Sequence, residues 1–334
     1  MRTKIVIALG IVYVVWGSTY LAIAVADRTL PPLLMLAVRF GLAGGLLYAW
    51  SLWRGDVAAA GLGRREWTSA AIVGGLLLFV DTGGVAWAEQ RVASGVTALL
   101  VATVPLFTAL LDRTFFGVRL SFGALAGIAA GLLGVALLVG TSARVDPVGA
   151  AVILVAALAW AAGSAYGRVA LLPKAPFLSA AMQMLCAAAL LGVAGTAMGE
   201  VGRVHPASIS TGSLAAFAFL VVFGSIVAFT AYGWLLRSGA PSVLVSTYAY
   251  VNPAVAVVLG WAFAGELVGS RELAAGAIVV ASVGMLVLAR EPREQEEAEP
   301  VPETVHPSLR HREEQERPFP PAAPQLADLR RIAP

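Results

Sequence analysis

The chain holds a single cysteine and three histidines among 334 residues. A lone cysteine, Cys186, excludes a disulfide within the chain, and no Cys or His spacing suggests a metal or haem site. Cys186 reads as a packed helix residue. His205, His306 and His311 all fall in polar stretches, so none is placed to activate a buried nucleophile. Asp81 is the one aspartate well inside an apolar run. That rules out an aspartyl dyad, and no cluster of carboxylates could hold a metal-diphosphate. The chain also lacks a GxxxxGK[ST] loop for nucleotide phosphates. These absences argue against an enzyme, a bound cofactor and an ATP site of the chain's own.

What is abundant is apolar sequence: 59% of residues are hydrophobic and 13% charged, against about 45–50% and 25% in a soluble domain. Mean hydropathy is +0.82, which marks an integral membrane protein. The polar residues are unevenly spread: 10 of the 20 acidic residues and 9 of the 18 prolines follow Arg290. Residues 291–334 therefore read as a disordered Pro/Glu-rich tail. Residues 1–290 carry 17 Lys and Arg against ten acidic residues, a basic excess thinly spread over short loops that suits membrane orientation and not nucleic acid.

Lipid offers no partner to an unpaired backbone group, so a run of about 20 apolar residues crosses as a helix. Ten such runs fit, near 5–25, 33–53, 67–89, 93–112, 120–140, 147–167, 177–197, 212–236, 241–264 and 272–290. The first resembles a signal peptide in its basic start, but it is long, carries "WGSTY" and has no small-residue cleavage site. With the N-terminus inside, inner loops hold Arg2, Lys4, Arg54, Arg64, Arg65, Arg113, Arg119, Arg168, Lys174 and Arg237. Outer loops hold Arg28, Arg91, Arg144, Arg203 and Arg271. This asymmetry puts both termini in the cytoplasm.

The halves repeat. "MLAVRFGLAGGLL" (35–47) aligns with "SAAMQMLCAAALL" (179–191) at an offset that also superposes Trp16 on Trp160. Further along, Trp87 meets Trp234 and Pro105 meets Pro253. Five helices per repeat is an odd number, so the second copy, 141–290, must lie upside down relative to the first, 1–140. Inverted repeats suit a carrier whose halves rock about a site at the midplane. The expected fold is all-α, with ten transmembrane helices as two inverted five-helix repeats.

Pro253 and Pro105 cannot donate to the preceding turn, so both helices should bend near mid-membrane. Freed carbonyls there favour a wet cavity, beside Tyr248 and Asn252, although tolerated packing prolines would read the same way. Arg39 and Asp81 are charges inside the bilayer, each about 11 Å from the outer end of its helix at 1.5 Å per residue. They could pair, as a structural lock or as a gated pair whose carboxylate takes a proton. The repeat has Gln183 where the first half has Arg39, which tilts the reading towards function. Glu89 lies near the outer interface, for coupling or simply solvated, and Glu266 and Glu272 read as solvated. Trp16 and Trp160 sit near the midplane with Tyr20 and Tyr166 beyond them and Thr19 and Ser164 between, as a cavity wall or as core. Trp50, Trp53, Trp67 and Trp261 read as interface anchors. The stacked glycines of "GALAGIAAGLLG" (123–134) form a packing face, within the bundle or between protomers.

Several stretches together carry a resemblance: "YVVWGSTYLAI", "LPPLLMLAVRF", "VAWAEQRVASGVTALLVATVPLFTALL", "DPVGA", "VVFGSIVAFTAYGWLLR" and "VSTYAYVNPAVAVVLGWAFAGE". In this order they resemble the EamA-type drug/metabolite transporters, and within them the YedA-like inner-membrane exporters. The resemblance implies a ten-helix fold with a central cavity lined by both halves, exporting small metabolites or toxic compounds across the plasma membrane. Two positions depart from the family pattern. Asp81, Thr82 and Gly83 stand where Gly-Asn-Gly is usual, and "GV" (117–118) where Gly-Glu is usual, although "GE" survives at 265–266.

The expectation is a secondary carrier, possible rivals being a facilitative or exchange permease and, in another class, a membrane scaffold or receptor using the acidic tail. A channel would want a symmetric ring of carbonyls or charges. The expected partners are a small-molecule substrate and the lipid bilayer, with the chain monomeric or homodimeric.

Overall fold

The computed structural model describes residues 2–117, 121–141, 146–235, 238, 248–265 and 269–288. Arg119, Arg144, Arg237, Glu266 and the tail from 291 lie outside these residues, as do the side chains of Arg2, Arg271 and Glu272. Among the described residues there are helices and turns and no strands.

The long helices are α1 (Arg2–Ala26), α2 (Pro32–Trp53), α3 (Arg64–Glu89), α4 (Ser94–Phe115), α5 (Phe122–Thr141) and α6 (Pro147–Gly167), then α7 (Pro176–Ala197), α8 (Thr211–Leu235), α9 (Tyr248–Leu259, continued by a turn to Ala264) and α10 (Ser270–Leu288). Seven of them, α1 to α4 and α6 to α8, are long and apolar enough to cross a membrane. The apolar stretches of α5, α9 and α10 are shorter.

Local chemistry sets the ends. Helices α2, α6 and α7 open on Pro32, Pro147 and Pro176, where the missing N–H is one the helix could not have used. In "DPVGA", Asp146 Oδ2 accepts from the Gly149 N–H at 2.8 Å and caps α6. Glu200, 1% exposed, reaches from beyond α7 to accept the Leu34 N–H at 2.9 Å, capping the first turn of α2. Helices α4 and α9 both end on a left-handed glycine, Gly117 at φ 66° and Gly265 at φ 67°, a conformation in which a Cβ is strained. The glycine of the "GV" and "GE" stretches is thus a helix terminator.

The two prolines act differently. Pro105 sits in the first turn of a new segment: α4 breaks after Val101 and restarts at Val104, with Leu106 N bonding Thr103 O at 2.9 Å. Helix α9, by contrast, continues through Pro253. Around Pro253, α1 and α9 pack closely: a Cβ on Gly17 of α1 would lie 2.6 Å from Val255 and 3.3 Å from the Asn252 carbonyl. In the amide orientation that satisfies its neighbours, Asn252 also donates to the carbonyls of Tyr13 and Tyr248, at 3.2 Å each.

Three further irregularities carry no proline within them. Helix α3 is π-helical over Gly75–Thr82, α8 over Leu220–Ala228 and the end of α9 over Gly260–Ala264. An extra residue per turn re-aims side chains and loosens the backbone ladder, and such insertions gather at functional sites.

Packing pairs corresponding helices: α2 lies against α7 and α5 against α10, while α1 packs on α8 and α9 much as α6 packs on α3 and α4. Gly131 and Gly134 meet Leu106, Ser282, Ala275 and Val279, so this part of the glycine stretch faces the bundle interior. An ion pair joins buried Asp112 of α4, 6% exposed, to half-exposed Arg168 at the end of α6.

Candidate functional site

Between the halves lies a cavity of about 100 Å³. Helix α1 contributes Trp16, Thr19 and Tyr20, α2 contributes Arg39 and Phe40, and α3 contributes Asp81 and Thr82 from its π-helical turn. The second half supplies Trp160 from α6, Gly224 and Ser225 from the π-helical turn of α8, and Tyr248 and Asn252 from α9. The π-helical turns of α3 and α8 therefore deliver polar groups to the same space, while that at the end of α9 does not line it.

The charges are the notable contents. Arg39 and Asp81 are 4% and 7% exposed and both face the cavity, yet they do not form the ion pair the sequence allowed. Arg39 Nε donates instead to Ser225 Oγ across the halves at 2.8 Å, and its guanidinium carbon lies 4.9 Å from the Phe40 ring centroid. The bare backbone of Gly224 makes this possible, since a Cβ there would sit 2.9 Å from Arg39 Nη2. Arg39 Nη1 and Asp81 Oδ1 have no hydrogen-bond partner. Unpartnered buried charge is costly.

Towards the N-terminal end of α1 the cavity meets an aromatic cluster. Trp16 packs edge-on to Trp160 at 5.5 Å and to Tyr248 at 5.6 Å, and Tyr232 of α8 stands 4.9 Å from Trp16 and 5.8 Å from Tyr248. Behind the rings lie Ala8, Leu9, Val12 and Leu235, so this end is filled with packed side chains. Sequence reasoning missed Tyr232, Ser225 and Gly224. A usable signal was there: Ser225, Phe229 and Tyr232 recur at helical spacing along one face of α8.

Four expected residues fall outside the lining. Gln183 is buried between α7 and α3, its amide donating to Ser179 Oγ at 3.1 Å. Tyr166 packs against the main apolar core. Ser164 is one turn past Trp160, and Glu89 ends α3 two turns past Asp81; both are half-buried. The error was to give α6 and α7 the same facing as their counterparts, whereas the residues opposite Tyr20 and Arg39 point into protein contacts.

Outside the membrane-spanning segments, Asp27 follows α1. Burial pushes its carboxyl well above the usual range, the charge of Glu200 pushes the same way, and Arg203 opposes.

A mostly apolar all-helical bundle, with a charged and aromatic cavity between its halves, defines a multi-pass membrane transporter. Comparison with known proteins names the group: the model of the EamA-like transporter family matches residues 3–140 and again 147–288. The chain belongs to this family. It is 40% identical over 285 residues, covering 85% of this chain and 90% of the other, to the uncharacterized inner membrane transporter YedA of Escherichia coli K12. It is 26% identical over 298 residues, covering 85% and 93%, to a probable terminal-alkyne amino-acid exporter of Streptantibioticus cattleyicolor. A solved crystal structure matches 87% of this chain and 100% of its own with a TM-score of 0.62 at 20% identity, which supports the fold alone. The protein is thus a transporter and not an enzyme, acting on a small molecule within a lipid bilayer.

Proposed function

We propose that the protein is a secondary exporter of the inner membrane working by alternating access, with all ten helices crossing as two inverted repeats, 1–140 and 141–290, and both termini in the cytoplasm. The observation that carries this reading is a cavity walled by both halves, holding two opposite, buried and mutually unpaired charges. The pairing of α2 with α7 and α5 with α10, and the π-helical insertions in α3 and α8, support the repeat relation. In this arrangement the N-terminal half of α1 is the cytoplasmic side, so the aromatic cluster around Tyr232 is the inner gate in its closed form.

The substrate class follows from the cavity. A cation alone leaves Arg39 unmatched, and an anion alone leaves Asp81 unmatched. An amino-acid-like zwitterion with an apolar side chain satisfies both, its carboxylate on Arg39, its ammonium on Asp81 and its side chain against Trp16 and Trp160. The name of the Streptantibioticus relative agrees with this class. When substrate leaves, a proton on Asp81 removes the cost of a bare carboxylate, which couples export to proton entry.

The test is uptake of leucine, leucinamide and N-acetylleucine into proteoliposomes, with and without a pH gradient. Gradient-driven leucine transport at least about tenfold above both singly charged analogues, as expected for losing one charge-assisted contact, supports the reading. Gradient-independent leucine uptake by wild type and Asp81→Asn alike would replace it with facilitative or exchange transport. If deleting residues 291–334 abolished function while the cavity variants did not, the scaffold reading would take over.

A further inference from the structure

A second hollow lies on the outside of the bundle. It is a groove of about 380 Å³ between α1, the start of α7 and the end of α8, with Lys4, Ile7, Ile11, Phe177, Thr230 and Trp234 among its walls. Its long dimension follows the helices: Lys4 to Ile11 on α1 and Val227 to Trp234 on α8 each span seven residues, about 10 Å at 1.5 Å per residue. Lys4 is exposed at one end, and Trp234 shares that end. The rest is apolar apart from Thr230, whose hydroxyl oxygen is buried without a hydrogen-bond partner.

An apolar trough of this length, parallel to membrane helices and ending in a cation and a tryptophan, has the layout of a lipid in one leaflet. The acyl chain needs the apolar walls. The tryptophan suits the interface, and a basic group between helices at the cytoplasmic surface selects an anionic headgroup. Water suits the trough poorly, because a buried water needs several polar partners. A soluble peptide cannot reach a groove that begins at the membrane surface and runs inward.

We propose that this groove is a binding site for an anionic phospholipid of the cytoplasmic leaflet, its headgroup on Lys4 and one acyl chain between α1 and α8. The leaflet rests on the orientation proposed above; the ligand chemistry does not. The site also touches the gate. Ala8 and Ala231 line the groove and pack in the same cluster as Tyr232 and Trp16.

The experiment is equilibrium binding and involves no transport, so its outcome is independent of the function proposed above. Purified full-length protein in vesicles is titrated with phosphatidylglycerol or phosphatidylcholine carrying the same brominated acyl chain, and tryptophan quenching is read. Trp234→Phe isolates the Trp234 signal. The proposal expects Trp234 to be quenched by brominated phosphatidylglycerol at about fivefold lower mole fraction than by phosphatidylcholine, the effect of one lysine near an anionic lipid. Lys4→Gln should remove the preference and Lys4→Arg keep it. Equal quenching by the two lipids, or a preference that survives Lys4→Gln, would overturn the proposal. Lys4 is exposed, so neither substitution endangers the fold.

Discussion

Residues 3–140 and 147–288 match the same family model and build similar packing, yet they furnish the cavity unequally. Trp16 and Trp160 correspond and both line it. Both bulky charges come from the first half, as Arg39 and Asp81. The second half has Gln183 in place of Arg39, turned away into a helix contact, and a serine, Ser225, near the place of Asp81 in the matching π-helical turn. The halves resemble each other in their packing and differ in the charges they bring to the cavity. Arg39 spans the two, its Nε donating to Ser225 Oγ of the other half.

Substitutions can break that comparison. The largest expected effect is at the charge that has no counterpart: Asp81→Asn should lower gradient-driven uptake at least about tenfold, the scale of one lost charged interaction. Ser225→Ala, which leaves Arg39 charged but unanchored, should cost only a few-fold in the same assay.

A second asymmetry is structural. Asp112 pairs with Arg168, while Gly260 stands at the repeat-equivalent position. Removing one member of a buried pair leaves an uncompensated charge. Because Arg168 is half exposed, Arg168→Gln should destabilise by about 2 kcal/mol, below the range for a fully buried pair, read by thermal melting in detergent.

The symmetric control is the pair of left-handed glycines. Gly117→Ala and Gly265→Ala should each cost about 1 kcal/mol, and clearly unequal losses would sever the comparison at the ends of α4 and α9.

The smallest effect concerns Asp27. A carboxyl whose folded value is raised favours the fold at acid pH, and that contribution is lost as pH rises through the folded value. Asp27→Asn should therefore flatten the fall in melting temperature as pH rises above the ordinary carboxylate range, with little change below about pH 4, where the carboxyl is neutral in both states.

Much of the fold was legible because bilayer physics writes it in plain terms: long apolar runs, prolines at helix starts, glycines at helix ends. That Trp16, Trp160, Arg39 and Asp81 lie well inside long apolar helices was legible in the same way, from counting along each run. Facing was harder. A helix apolar on every side carries no stripe to show which residues point inward, so Ser164, Tyr166 and Gln183 were assigned to the cavity by analogy with their counterparts. The π-helical insertions in α3 and α8 were invisible for a related reason: one extra residue in a turn changes where Asp81, Gly224 and Ser225 point without changing composition. Tyr232 carries no local sequence signal of its place, because its ring partners Trp16, Trp160 and Tyr248 lie on three other helices.

The most direct test of the claim that the unmatched charges serve transport and not the fold is to abolish the asymmetry. Arg39→Gln with Asp81→Ser gives the first half the residue types the second half carries at Gln183 and Ser225. Melting and gradient-driven leucine uptake are then measured on the same preparation. The account predicts an unchanged or higher melting temperature, because two incompletely partnered buried charges are gone, together with loss of driven uptake. A lower melting temperature with normal uptake per folded molecule would contradict it and make Arg39 and Asp81 part of the scaffold.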